Sequence, residues 1–340
     1  MKIVKEERRL GTTAGGSTYM ITLPKAWVEA LGLKKGEALT LVKMGSVISL
    51  WRPRARDLRS QRTRLSMGEA LQGKALERGL IALYIAGFDI IEVVGPLSDE
   101  QRQIIKETAQ RLIGEILQET DDFVLIQTLR DPQVLSVPQL LEYIYDNARE
   151  MLREAFEALL AQDAGRAERV IQRDERVDRF FLRLSRQLYA ALQDPLGEVE
   201  QGISRVEFFN VHTVARQLER IADHAVKIAR TAEALVAEGR RLPRKLAESL
   251  TELQNNVQEL LARVMAAFST LSGEEVHQAL EALPEIERQI EAIDRTLLGL
   301  GDPHLAYHLG IVVDSLGRVK DYAANIAEVA LNAEALQLEA

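Results

Sequence analysis

From residue 138 onward, apolar positions recur at helical spacing with few breaks. The sharpest run is Val214, Leu218, Ile221, Ala225, Ile228, Ala232 and Leu235, at steps of 4, 3, 4, 3, 4 and 3. That rhythm marks a long helix packed lengthwise against others. Val312, Leu316, Val319, Ala323, Ile326 and Ala330 repeat the positions from 214 to 232, each displaced by 98 residues. An internal repeat constrains a fold more than any local motif does. Helices are predicted near 138–162, 165–193, 202–238, 244–271, 273–299 and 304–336, with Gly or Pro at most joints. Six helices carrying one duplication make two tandem three-helix bundles, so the fold class is mainly α.

The first third of the chain is patterned differently. Residues 17–23 are β-branched and aromatic and predict a strand. Pro24 opens a short helix that runs to Leu31 and stops at Gly32. Two further strands, 38–42 and 47–51, flank the turn Lys43-Met44-Gly45-Ser46. Such a unit is too small to bury a secure core alone, which favours association with a second copy. Residues 52–66 read as a basic connector without apolar periodicity. A helix over Glu69–Gly87, a strand over Ile90–Val94, a helix over Ser98–Ile113 and a strand over Phe123–Leu129 then form a small α/β module. It holds no phosphate loop, nucleophile elbow or metal-ligand spacing. The expected division is 1–53, a connector over 54–67, the α/β module over 68–132, and the two bundles over 133–240 and 241–340.

Charge adds a second division. The net charge of −8 hides a segment, residues 1–66, with 14 Lys and Arg against 5 Asp and Glu, while the rest of the chain carries −17. A basic module fused to an acidic body points to contact with a polyanion. The chain has no cysteine, which excludes disulfides and thiolate metal sites. No apolar run approaches the roughly 18 residues of a membrane span, and the N-terminus has no signal-peptide core. A cytoplasmic protein without membrane insertion is the expectation.

The polar face of the sharpest helix carries Glu219 and Asp223, one turn apart and turned away from the seam. The preceding helix carries Asp174 and Asp178, and its seam runs through Val170, Val177, Phe181, Leu184 and Leu188. The pairs 174/223 and 178/219 share a midpoint in the connection around Glu198. Two antiparallel helices would therefore bring all four carboxylates to similar heights. A multivalent cation with oxygen ligands accounts for such a group. A solvated acidic face balanced by Arg176, Arg216 and Arg220 accounts for it equally well. A di-iron oxidase needs Glu-x-x-His on two helices, and only Glu274-Glu275-Val276-His277 fits. Enzymatic activity is not expected.

Two resemblances sharpen this. The order strand, Leu-Pro-Lys, short helix, Gly32-Leu33-Lys34-Lys35-Gly36-Glu37, strand, turn, strand resembles the SpoVT/AbrB-type DNA-binding domain over about residues 5–53. The likeness implies a swapped-hairpin dimer and places Arg8, Arg9 and Lys25 as candidate DNA contacts. The run Leu218-Glu219-Arg220-Ile221-Ala222-Asp223-His224-Ala225, with Arg173-Asp174-Glu175-Arg176-Val177-Asp178 before it, resembles the PhoU family of phosphate-uptake regulators over residues 138–336. That likeness implies surface metal clusters, with Asp174, Asp178, Glu219 and Asp223 as ligands in the first repeat. The metal would be iron, zinc, manganese or magnesium. In the second repeat Asp321 is in register, but Gly317 stands where Glu219 does. Reflection about the turn at Gly301 sets Glu285 or Glu287 opposite Asp321, so Asp321 and Glu287 would form a weaker site. The joint implication is a regulator of phosphate uptake and signalling that binds DNA as a homodimer or higher oligomer. Its further partner would be a phosphate transporter ATPase or sensor kinase. The alternative is an adaptor that restrains a phosphate ABC transporter and uses its N-terminal domain only to dimerise.

Overall fold

The computed structural model describes residues 11–12, 19–44, 47–51, 61–68, 71–112, 114–128, 135–193 and 203–335. The chain divides into two units, Met1–Arg59 and Ser60–Ala340.

In the first unit, β1 (Gly11–Thr12) pairs antiparallel with β2 (Tyr19–Met20), and α1 spans Lys25–Ala30. β3 (Thr40–Met44) and β4 (Val47–Trp51) form an antiparallel hairpin with Thr40 opposite Trp51. The strand expected over 17–23 is thus Tyr19–Met20 among the described residues; 13–18 lie outside them, and 21–23 join no sheet. Gly32 and Gly36 adopt φ of +62° and +84°, and the Lys34 N–H donates to Glu37 Oε2 at 2.9 Å. These positive φ values suit glycine, which has no Cβ to clash.

The second unit begins with a four-stranded sheet. It consists of β5 (Arg62–Ser66), α2 (Lys74–Ile85), β6 (Ile90–Val94), α3 (Asp99–Arg111), β7 (Gly114–Glu119) and β8 (Phe123–Thr128), in strand order β5-β6-β8-β7. β5 runs parallel to β6 and the other pairings are antiparallel. Leu76 and Leu80 of α2, and Ile105 and Ala109 of α3, bury one face of the sheet against Ile91, Val93, Val124 and Ile126.

Two strands correct the expectation. Arg62–Ser66, assigned to the connector, is an edge strand. Its apolar content is only Thr63 and Leu65, which alternate inward, while Arg62 and Arg64 fold over the buried Glu92 of β6. Gly114–Glu119 escaped notice because a bulge between Ile116 and Gln118 breaks the two-residue period. The helix expected from Glu69 begins at Lys74 after Gly73.

Helices then follow: α4 (Val137–Ala161), α5 (Ala164–Gln193), α6 (Arg205–Ala237), α7 (Arg244–Thr270), α8 (Gly273–Leu280), α9 (Leu283–Leu298) and α10 (Pro303–Ala335). Capping boxes Ser136/Gln139 and Ser204/Glu207 start α4 and α6. The single helix expected over 273–299 is two. Pro284, near the start of α9, lacks an N–H and would clash with the carbonyl four residues back, so the chain restarts there. α4, α5 and α6 form one bundle; α7, α8–α9 and α10 form the other. The duplicated helices α6 and α10 pack against each other, and one continuous core runs through both bundles. Every seam position from Val214 to Leu235 and from Val312 to Ala330 is buried.

Arg186 of α5 ties the sheet module to the bundle. Its guanidinium donates to the carbonyls of Tyr84, Gly87 (3.1 Å) and Phe88 (3.0 Å), which close α2, and to Asp89 Oδ1 at 2.8 Å. It also lies 4.7 Å from the centroid of the Tyr84 ring. One cation thus caps the carbonyls at a helix C-terminus and pairs with a carboxylate of the opposite charge.

Candidate functional site

The polar faces of α5 and α6 bring Asp174, Asp178, Glu219 and Asp223 into one electrostatic neighbourhood. The buried seams fix this: Val170, Val177 and Phe181 point inward on α5, and Leu218 and Ile221 on α6, which leaves the acids on the outer flank of the pair. Asp174, Asp178 and Glu219 are half-buried, and Asp223 is exposed. Burial pushes Asp174 up to about 7, with the Asp178 and Asp223 carboxylates adding to the rise. Burial also pushes Glu219 up to about 7, here with Asp223 as the strongest repelling charge. Asp178 is raised by burial and by Asp223, against the opposing field of Arg111. Partial desolvation of its carboxyl raises Asp223 although the residue as a whole stands exposed, against Lys227, Arg216 and Arg220. Four acids are thus held where ionising one penalises the others.

Counter-charge is scarce. Glu219 has one ion pair, with Arg216 at 3.8 Å, and that arginine is itself drawn over the Phe181 ring at 4.2 Å. Asp174, Asp178 and Asp223 make no ion pair or side-chain hydrogen bond among the described residues. The donor set is all oxygen, which suits a hard multivalent cation. As placed, the side chains do not converge: among the described residues no three His, Asp or Glu are close enough to hold one ion.

Sequence reasoning missed two neighbours from the sheet module. Arg111 at the end of α3 lowers both Asp174 and Asp178, and Glu77 of α2, which pairs with Arg111 at 2.6 Å, raises Asp178. No pattern within 138–340 points to them, because they arrive by docking of another module.

Comparison with known proteins places this helical pair. The family model "PhoU domain" matches residues 141–232, a span that contains all four acids. The helical body carries a PhoU domain. A second model, "Antidote-toxin recognition MazE, bacterial antitoxin", matches residues 12–55, so the N-terminal unit is a MazE/AbrB-like domain. A phosphate-specific transport system accessory protein PhoU homolog from Caulobacter vibrioides is 26% identical over 190 residues, covering 54% of this chain and 79% of that protein. Another from Zymomonas mobilis is 27% identical over 161 residues, covering 46% and 64%. The crystal structure of PhoU from Pseudomonas aeruginosa superposes with a TM-score of 0.51 at 22% identity, covering 57% of this chain and 93% of that one. That likeness speaks for the fold.

Beyond the PhoU match, the second bundle builds its corresponding region differently. Lys320 reaches Glu287 Oε1 at 3.1 Å and Asp321 Oδ1 at 3.2 Å. The structure therefore brings Asp321 and Glu287 together, but around an ammonium. Arg318 lies 3.7 Å from Asp321, and Glu285 turns away to Arg288. Gly317 leaves room that Ile290 lines at 3.6 Å from where a Cβ would stand. The signal for this was in the repeat: displaced by 98, Lys320 falls on Ala222.

His224 of the PhoU domain sits between the bundles against the Tyr322 ring. Burial, then Lys227, pushes it down to about 4. Its Nε2 lies 3.5 Å from Lys227 Nζ, and its Nδ1 is buried without a partner among the described residues. A neutral ring at this helix crossing is the result.

In the MazE/AbrB-like unit, Lys25 is exposed and pairs with Glu29 at 3.6 Å. Arg8 and Arg9 lie outside the described residues. Among the residues from 19 to 50 whose side-chain burial is described, none is buried, and Tyr19, Ile21, Leu41 and Ile48 stand more than half exposed. These described side chains form no core within a single copy.

Proposed function

We propose that this chain is a non-enzymatic, cytoplasmic regulator of phosphate uptake and phosphate signalling, which senses through its helical body and acts on DNA through its N-terminal unit. One observation carries the reading: PhoU and MazE-type matches occupy separate segments, 141–232 and 12–55, of one chain. The relatives named above are accessory proteins of phosphate-specific transport systems. Support for the dimer comes from the exposed apolar side chains of the N-terminal unit, which a second copy would cover. Support for DNA contact comes from the charge of +9 over residues 1–66.

The carboxylates of α5 and α6 would hold a multivalent cation by turning inward on helices whose positions the seams already fix. Bound metal would supply the missing positive charge and tie the two helices together. No helix among the described residues is long and apolar enough to cross a membrane. The test is a pull-down of the full chain with its own genomic DNA, with and without phosphate. Enrichment of discrete fragments that responds to salt supports the regulator. No enrichment, with the dimer intact, favours the adaptor that restrains a phosphate transporter and uses the N-terminal unit only to dimerise; the same exposed apolar surface accounts for that arrangement.

A further inference from the structure

A groove of about 710 Å³ opens between the two bundles, away from the carboxylates. Its walls are α4 from Pro138 to Asp146, α6 from Ser204 to Val211 and the last turns of α7 from Ala262 to Leu271. Each wall runs about 12 Å, or two helical turns. The lining is mainly apolar, with Leu141, Tyr145, Val206, Val211, Met265 and Phe268 along it. Val206 stands half exposed there, which is costly for a β-branched apolar side chain unless something covers it.

Two further features point to what covers it. Among the described residues the lining includes Glu142, Asp146 and Glu207 and no Lys or Arg. Glu207 caps α6 by accepting from the Ser204 N–H, whereas Glu142 and Asp146 form no ion pair among the described residues. Asn210 is 9% exposed, lines the groove, and has no hydrogen-bond partner among the described residues. This amide can therefore exchange hydrogen bonds with a polar group of a ligand seated in the groove.

We propose that this groove docks a basic amphipathic helix of a partner protein. Two turns of the helix lay apolar side chains at i, i+3 or i+4, and i+7 along the floor. A flanking Lys or Arg meets Glu142 and Asp146, and a polar side chain bonds Asn210. The site is independent of both the cation and the DNA readings, since it uses none of their residues.

The probe is a helix-stabilised leucine–lysine peptide of about 14 residues, long enough for four turns, titrated by fluorescence anisotropy against the full chain. An isosteric leucine–glutamate peptide is the control. Ala266→Trp plugs the groove from an exposed wall position without altering charge. The expected result is binding that weakens at least about tenfold, or 1.4 kcal/mol, in Ala266→Trp and in Glu142→Lys with Asp146→Lys. Glu248→Lys with Glu252→Lys, elsewhere on α7, should leave it unchanged. Circular dichroism and melting verify that each variant folds. Equal affinity for the plugged chain, equal affinity for the acidic peptide, or a wild-type Kd weaker than about 1 mM overturns the proposal.

Discussion

Replacing Glu219 by Gln should stabilise the metal-free chain and abolish its stabilisation by metal, so one substitution changes sign with the ligand. In the folded chain Glu219 is carried from 4.5 to about 7, chiefly by burial and then by Asp223. A carboxyl whose folded value lies above its unfolded value binds more protons when folded. Stability is therefore highest below the unfolded value and falls as pH rises toward the folded one. Over that window the ionised group costs about 3 kcal/mol at most. Glu219 shares its repulsion with Asp174, which is also pushed to about 7, so the two protons leave as a coupled set and the costs do not add. Losing the weak Arg216 contact subtracts little, because that arginine is largely exposed. The gain in Glu219→Gln should be near zero below pH ~4, grow between pH ~4.5 and ~7, and level off at about 1–3 kcal/mol. That is roughly 3–8 °C in Tm for a body of this size. Added cation reverses the order. It needs ionised oxygens, so its affinity rises through the same window, and it stabilises wild type by about 2.7 kcal/mol at a hundredfold excess over Kd. Thermal melts at several pH values, with chelator and with each of iron, zinc, manganese and magnesium, read both effects. If Glu219→Gln melts with wild type at pH 8 in chelator, the four acids are a solvated face and the reasoning fails.

Other consequences are as direct. Removal of residues 1–60 should lower the subunit number seen by light scattering, because the N-terminal unit buries none of its described side chains alone; an unchanged number would assign association to the rest of the chain. Arg8→Ala with Arg9→Ala should weaken DNA binding and flatten its salt dependence by about one unit of slope per lost phosphate contact, and wild-type affinity and slope would acquit both residues. Arg186→Met should cost about 1–3 kcal/mol by removing the guanidinium from the carbonyls that close α2 and from Asp89, which keeps its bond from the Gln61 N–H. Hydrogen exchange would find the loss concentrated over residues 61–128, whereas uniform protection would mean that the module is held elsewhere. Lys320→Met should leave Glu287 and Asp321 without their shared cation and destabilise the chain by about 1 kcal/mol in chemical denaturation, and an unchanged midpoint would mean that the ammonium does not hold the two helices.

The helical body was legible because its information is periodic. A seam such as Val214 to Leu235 states which face is buried, and its echo 98 residues later states that the unit is built twice. The register of α5 against α6 followed from a shared midpoint, and Asp174 and Asp178 do feel Asp223 as that geometry requires. Where the signal is not periodic, reading failed. Arg62–Ser66 is a strand whose outward residues are two arginines covering Glu92, so its composition spells linker while its pairing spells sheet. The bulge in Gly114–Glu119 erased alternation in an edge strand, and Pro284 divided a helix whose apolar rhythm continues across the break. Arg111 and Glu77 show a different limit: they approach the acids through tertiary docking, which leaves no trace at a fixed spacing.

The two repeats answer the same electrostatic problem with different chemistry. Each places carboxylates across a pair of helices beside the central α6–α10 packing. In the second, the residue in register with Ala222 is Lys320, whose ammonium sits within 3.2 Å of Asp321 and 3.1 Å of Glu287. Gly317, in register with Glu219, removes one negative charge as that positive one arrives. The region is thereby close to neutral with no outside help, and its helices are tied by a covalently tethered cation. The first repeat keeps all four acids, has among the described residues one ion pair to them, from Arg216 to Glu219 at 3.8 Å, and holds two of them near 7. Its helices are left with a repulsion that a diffusible ion or a proton can relieve. A site that is already satisfied cannot report a change in its surroundings, because nothing that binds there distinguishes two states. A site held near its titration point can. On the metal reading proposed above, the asymmetry between the repeats would give the responsive role to α5 and α6, and the fixed one to α9 and α10.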